Sequence, residues 1–227
     1  MRPMLKFCGN HSFEDLKKAI ASRANYIGII FTEKSRRTVT GEQAADWLKR
    51  LAPHQKKLVG VFADDTLDQI QKVLRHVPLD VLQFHGSESP QFLSRVKAIT
   101  RRSVWKAIHH RPDACEEMRA FTGIADGFVI DTKVSGQLGG TGISFDWTAI
   151  PDYQAEATQQ KALCFIAGGV TPENIGNLLR YQPAGIDISS GIERNFHKDG
   201  TLILKIEEKV LKQDDQATPA GEKIQNG

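Results

Sequence analysis

Two side chains in this sequence have the type and placement to move protons. Cys8 ends a short apolar segment and is followed at once by Gly9, and Asp131 closes the apolar run Gly127-Phe128-Val129-Ile130-Asp131. A thiolate is a base and a nucleophile. A carboxylate at the end of an apolar run is costly unless it is solvated, paired or functional, and one that keeps its proton serves as a general acid. Each has a plainer alternative. A free cysteine is more commonly a small core hydrophobe, and the aspartate could be a loop or N-cap carboxylate. Cys115, on a polar helical stretch, and Cys164, inside an apolar run, have the character of structural residues.

Glycine turns supply a second kind of chemistry. Ala167-Gly168-Gly169 and Ser189-Ser190-Gly191 follow two apolar runs. Glycine lets backbone N–H groups approach an anion, and a helix start adds a favourable dipole, so both turns are candidate phosphate cradles. Gly139-Gly140-Thr141-Gly142 could close over a substrate or join the cradle. Arg36 and Arg37 are either a solvated basic pair or a fork for a carboxylate. His85 is a mouth residue, a second acid or base, or a hydrogen-bonded structural histidine. Lys106 is ambiguous in the same way, and a Schiff-base role is conceivable there.

These residues need elements to hold them. Eight runs suit parallel strands covered on both faces: 4–8, 26–31, 58–62, 80–84, 103–108, 127–131, 163–167 and 185–189. Helical signals alternate with them. Ser12-Phe13-Glu14-Asp15 has the form of a capping box, and Thr40 with Gln43 and Thr66 with Gln69 open two more helices. Ser89-Pro90 and Thr171-Pro172 each supply an N-cap followed by a proline. Leu202, Ile203, Ile206 and Val210 mark the inner face of the last helix. The stretch from Pro112 to Phe121 is polar and gives the weakest helical pattern.

Eight βα units fit a closed (β/α)₈ TIM barrel or a doubly wound sheet. The glycines gather after the sixth, seventh and eighth strands, not after the first, which favours the barrel. Its phosphate sites commonly use the last two βα loops, and its catalytic groups sit at the C-terminal ends of strands. The expectation is an α/β fold with one domain over 1–212. A polar, disordered tail is expected over 213–227.

With 227 residues, 40% hydrophobic and 25% charged, the chain is suited to one well-buried core. A net charge of +3, spread along the chain, gives no nucleic-acid signature. No apolar run is long enough for a membrane span, and the first residues lack a signal-peptide core, so a cytoplasmic protein is expected. Three cysteines without a CxxC pair argue against a disulfide framework or a structural zinc site.

The ordered set of motifs resembles phosphoribosylanthranilate isomerase, in the form found in bacilli. It comprises Lys6-Phe7-Cys8-Gly9, Gly28-Ile29-Ile30-Phe31 with Ser35-Arg36-Arg37, Val59-Gly60-Val61-Phe62 and Gln83-Phe84-His85-Gly86. It continues with Asp131-Thr132, Gly139-Gly140-Thr141-Gly142, Phe145-Asp146-Trp147, Ala167-Gly168-Gly169-Val170, Pro172-Glu173-Asn174, the run from Asp187 to Glu193, and Lys198-Asp199. The resemblance covers nearly all of the chain except the tail.

The resemblance implies a cofactor-free and metal-free Amadori rearrangement of N-(5-phosphoribosyl)anthranilate in tryptophan biosynthesis. It places the general base on Cys8, the general acid on Asp131 and the grip on the anthranilate carboxylate on Arg37. The implied substrate-binding set adds His85, Gly140, Gly168, Gly169, Ser189, Ser190 and Gly191. The implied partner is a phosphorylated small molecule, neither nucleic acid nor membrane, and the assembly a monomer or homodimer. Thr32-Glu33, Phe84 and Asn195-Phe196-His197 depart from the family pattern without touching Cys8, Asp131 or Arg37. The alternative is a catalytically silent phosphosugar-binding barrel, which would lose little on replacement of Cys8.

Overall fold

In the computed structural model, residues 2–132 and 145–217 are described, with side chains as far as Lys212. The strands are β1 (Met4–Phe7), β2 (Tyr26–Ile30), β3 (Lys57–Phe62), β4 (Val81–Phe84), β5 (Ser103–His109), β6 (Gly127–Asp131), β7 (Leu163–Ile166) and β8 (Gly185–Ile188). They pair in parallel in chain order and close through β1 and β8 into a barrel. Cys8, Phe31 and Ala167 lie one position past their strands, yet each N–H still bonds the neighbouring strand, to Ile188, Val61 and Ile130.

The helices are α1 (Phe13–Ala21), α2 (Gly41–Lys49), α3 (Leu67–Leu74), α4 (Pro90–Thr100), α5 (Ala114–Arg119), α6 (Ile150–Gln159), α7 (Ile175–Leu179) and α8 (Gly200–Ala217). A short antiparallel hairpin, β9 (Glu193–Arg194) and β10 (His197–Lys198), lies between β8 and α8. Thr40 and Thr66 each form a full capping box. Ser89 caps α4 with Pro90 in its first turn.

Two local expectations are corrected. The box at Ser12 is half-made: Ser12 accepts from Asp15 N, but Asp15 gives its own carboxylate to the backbone of Lys198. The helix expected at Thr171-Pro172 begins at Ile175, because Asn174 uses its amide on Thr171 N and Gly169 O to fold the intervening turn. The backbone of α8 continues to Ala217, so the segment beyond 212 starts as helix, while 218–227 lie outside the described residues.

Strand side chains alternate. One set faces the helices and forms the large core, with Phe7, Ile27, Leu82, Phe128 and Ile166 at or near zero exposure. The other set fills the barrel, with Val59, Val81, Trp105, Val129 and Phe165. Tyr26, Trp105 and Phe165 close the lower end, with ring centroids 4.8 to 5.4 Å apart. The same alternation carries Lys6 to Cys8, Gln83 to His85, Val129 to Asp131 and Asp187 to Ser189, which sends these residues up the inside toward the C-terminal mouth.

Candidate active site

A cavity of about 580 Å³, open solvent included, occupies that mouth. Cys8, Arg37, His85, Asp131, Gly168, Gly169, Ser189, Ser190 and Gly191 all line it. Gly140, with the rest of its glycine run, lies outside the described residues.

Cys8 is buried, and its thiol rests over Gly28 of the next strand. A Cβ at position 28 would lie 2.6 Å from Sγ. Lys6 Nζ donates to Asp187 Oδ2 at 2.7 Å beneath it, a pair set face to face by the β1–β8 register. Burial pushes the Cys8 thiol up; Lys6 pulls against that rise and Asp187 adds to it. Burial also opposes the charge on Lys6, but Asp187 and Cys8 outweigh it and hold the ammonium above the usual lysine value. Burial thus favours the neutral thiol, with the Lys6 ammonium set below it.

Asp131 is 4% exposed at the top of β6. Its Oδ1 accepts from Thr132 N at 2.7 Å, and its Oδ2 lies 3.4 Å from His85 Nε2, an electrostatic contact without hydrogen-bond alignment. Gly168, at φ 84°, packs against it: a Cβ there would come 2.8 Å from Asp131 Oδ1 and overlap Thr132 Oγ1. Asp131 and the first glycine turn thus share one wall. Gly169 is also left-handed, at φ 62°, and successive N–H groups in such backbone form a concave anion site. Gly191 lies against the carbonyl of Val170, where any Cβ would collide. The two glycine turns are therefore one continuous surface.

Of the arginine pair, Arg36 stays exposed and Arg37 turns inward with 8% exposure. Arg37 donates from Nε and Nη2 to Glu193 at 3.0 and 2.6 Å. Its Nη1–Nη2 edge is the one left for a ligand carboxylate. Glu193 also accepts from Lys198 Nζ at 2.7 Å, and these two cations hold its carboxyl below the usual range although burial works the other way.

Lys106 is no Schiff-base candidate. Its Nζ donates to Gly86 O at 2.7 Å and pairs with Glu88 at 3.2 Å, which fixes the turn carrying His85. Sequence reasoning gave no role to Gln83, Asp187, Glu193 or Lys198. Gln83 Oε1 and Asp187 Oδ1 are buried acceptors without a hydrogen-bond partner among the described residues, and both side chains line the cavity. The signal for Asp187 was its strand-end position; Glu193 and Lys198 stood only as members of the motifs that carry the resemblance, with no role attached.

The family model for N-(5'-phosphoribosyl)anthranilate (PRA) isomerase matches residues 5–209. The N-(5'-phosphoribosyl)anthranilate isomerase of Geobacillus thermodenitrificans is 53% identical over 206 residues, covering 91% of this chain and 93% of the relative. That of Bacillus subtilis is 41% identical over 209 residues, covering 92% and 95%. A solved phosphoribosyl anthranilate isomerase in complex with reduced 1-(o-carboxyphenylamino)-1-deoxyribulose 5-phosphate superposes with a TM-score of 0.76. It is 25% identical, over 92% of this chain and 99% of that one.

Proposed function

The chain belongs to the N-(5'-phosphoribosyl)anthranilate isomerase family, and from that premise we propose that Cys8 and Asp131 are the base and acid of its reaction. It is an isomerase of tryptophan biosynthesis that carries out the Amadori rearrangement of N-(5-phosphoribosyl)anthranilate to 1-(2-carboxyphenylamino)-1-deoxyribulose 5-phosphate.

The observation that carries the assignment is that Cys8, Asp131 and the joined glycine turns line one cavity. The phosphate rests on the N–H groups around Gly168, Gly169, Ser189, Ser190 and Gly191. Asp131 protonates the ribose ring oxygen, and the ring opens to a Schiff base whose iminium acidifies the C2′ proton. Cys8 removes that proton as thiolate, and the resulting enolamine tautomerises to the ketone. The cationic iminium favours ionisation of a thiol that the free site keeps neutral, and Lys6 stabilises the charge once formed. His85 contacts substrate beside the acid, and Gly140 completes the substrate-binding set. The outer edge of Arg37 holds the anthranilate carboxylate, while Gln83 Oε1 and Asp187 Oδ1 accept from ribose hydroxyls. The residues themselves supply acid, base and charge, so the proposed steps call on no cofactor or metal.

Among the described residues no helix is long and apolar enough to cross a membrane. The enzyme acts in the cytoplasm on a phosphorylated small molecule, not on nucleic acid, as a monomer or homodimer. The test is the loss of anthranilate-adduct fluorescence on mixing protein with fresh substrate. Cys8→Ala and Asp131→Ala are each expected to abolish it while a product analogue still binds. Retained turnover in either variant would remove that residue from its role.

A further inference from the structure

We propose that His11, Asp15 and His197 form a site for one divalent ion of the zinc class, outside the catalytic cavity. His11 lies in the loop after β1, Asp15 in the first turn of α1, and His197 opens β10. Their ligating atoms gather within 4.8 Å of one another.

The spacing is that of metal ligands, although His197 Nδ1 also has hydrogen-bond alignment toward Asp15 Oδ2 at 3.3 Å. Asp15 is fully buried, and its Oδ1 is fixed by Lys198 N at 2.8 Å. Both histidines bring Nδ1 to its other oxygen, Oδ2, each at 3.3 Å. A charge-assisted N–H···O bond would close to about 2.8 Å, whereas ligands about 2.0–2.1 Å from a tetrahedral zinc stand roughly 3.3–3.4 Å apart. The two imidazoles stack, with centroids 5.1 Å apart and planes 15° from parallel, so their nitrogens emerge side by side. His197 is 58% exposed, so its ring is able to rotate inward while water fills the fourth position. The backbone bond on Oδ1 is the kind of outer contact that orients a ligating carboxylate.

His11 Nδ1 also lies 3.2 Å from Gly9 O, a contact that requires the proton on that nitrogen. Metal binding moves the proton to Nε2 and releases this bond. Arg36 and Arg37, over the Phe196 ring, and Lys18, on Lys198 O, add nearby positive charge. These terms weaken the site relative to closed four-ligand zinc sites. The ion would pin the β9–β10 hairpin to α1, and that hairpin carries the Glu193 that holds Arg37.

Calorimetric titration of the full chain with Zn²⁺ tests this, together with the cobalt(II) absorption spectrum. One ion per chain is expected, with weakening by more than about tenfold in His197→Ala, since loss even of outer-shell partners acts on that scale. His76→Ala, which removes a histidine paired with a single carboxylate, should bind as the parent does. Cobalt should give visible ligand-field bands without a thiolate charge-transfer band. The proposal is overturned by absence of saturable binding, by parent-like binding in His197→Ala, or by a thiolate band that puts the ion on a cysteine.

Discussion

Glu193 closes on Arg37 through a two-point fork, Nε to Oε1 at 3.0 Å and Nη2 to Oε2 at 2.6 Å. This sets the angle at which the remaining edge of the guanidinium faces the cavity. Arg37→Ala removes charge-assisted hydrogen bonds worth about 1.5–3 kcal/mol, so KM should rise roughly 10- to 100-fold with a smaller change in kcat. Arg37→Lys should recover little, because an ammonium cannot span both oxygens of either carboxylate. Steady-state kinetics on the two variants checks this, and a KM unchanged in Arg37→Ala would place the substrate carboxylate elsewhere.

The Sγ of Cys8 occupies the space that a side chain at Gly28 would fill. In Gly28→Ala the new Cβ, 2.6 Å from Sγ and 3.1 Å from Cys8 Cα, must push the thiol off its position. A misplacement of this size costs about 100-fold in rate. The fall should appear in kcat, with a change in urea midpoint no larger than ordinary overpacking produces. Parent-like kcat in a folded Gly28→Ala would mean that the thiol position does not matter to the reaction.

Strand positions were legible because parallel strands covered on both faces are continuously apolar, and a chemical side chain at the end of such a run stands out. Cys8 and Asp131 were singled out that way, and both line the cavity. The choice between Arg36 and Arg37 was not local. It is made by Glu193, 156 residues away, which draws one of two adjacent arginines inward. Asp187 was visible at a strand end, but only its pairing with Lys6 shows that one oxygen is taken and the other is not. The late start of α7 depends on which way a single amide, that of Asn174, turns.

Lys6 and Asp187 form a buried ion pair at 2.7 Å, with side chains 0% and 8% exposed. Removing one partner strands the other charge, so Lys6→Met should destabilise by about 3–5 kcal/mol. Lys6→Met with Asp187→Asn leaves no stranded charge and should recover much of the loss. Urea unfolding of the single and double variants decides it. If the two singles sum to the double, the pair is not coupled and this account of the barrel interior fails.

The protonation of Cys8 makes a pH prediction with a definite sign. Burial, the largest influence, raises the thiol above its ordinary value; Lys6 opposes and Asp187 reinforces. A group with a raised pKa holds its proton further up the scale, so thiolate accumulates only above the usual thiol range near pH 8.5. Alkylation of Cys8 by iodoacetamide, in a Cys115→Ser background, should keep accelerating past that point. Cys164 does not interfere, since burial pushes it up to about 12. Lys6→Met removes the strongest opposing charge and should move the curve to still higher pH. A rate that levels off by about pH 8 would show that Lys6 outweighs burial and that the free enzyme already carries a thiolate base, and the substrate iminium would then not be needed to create it.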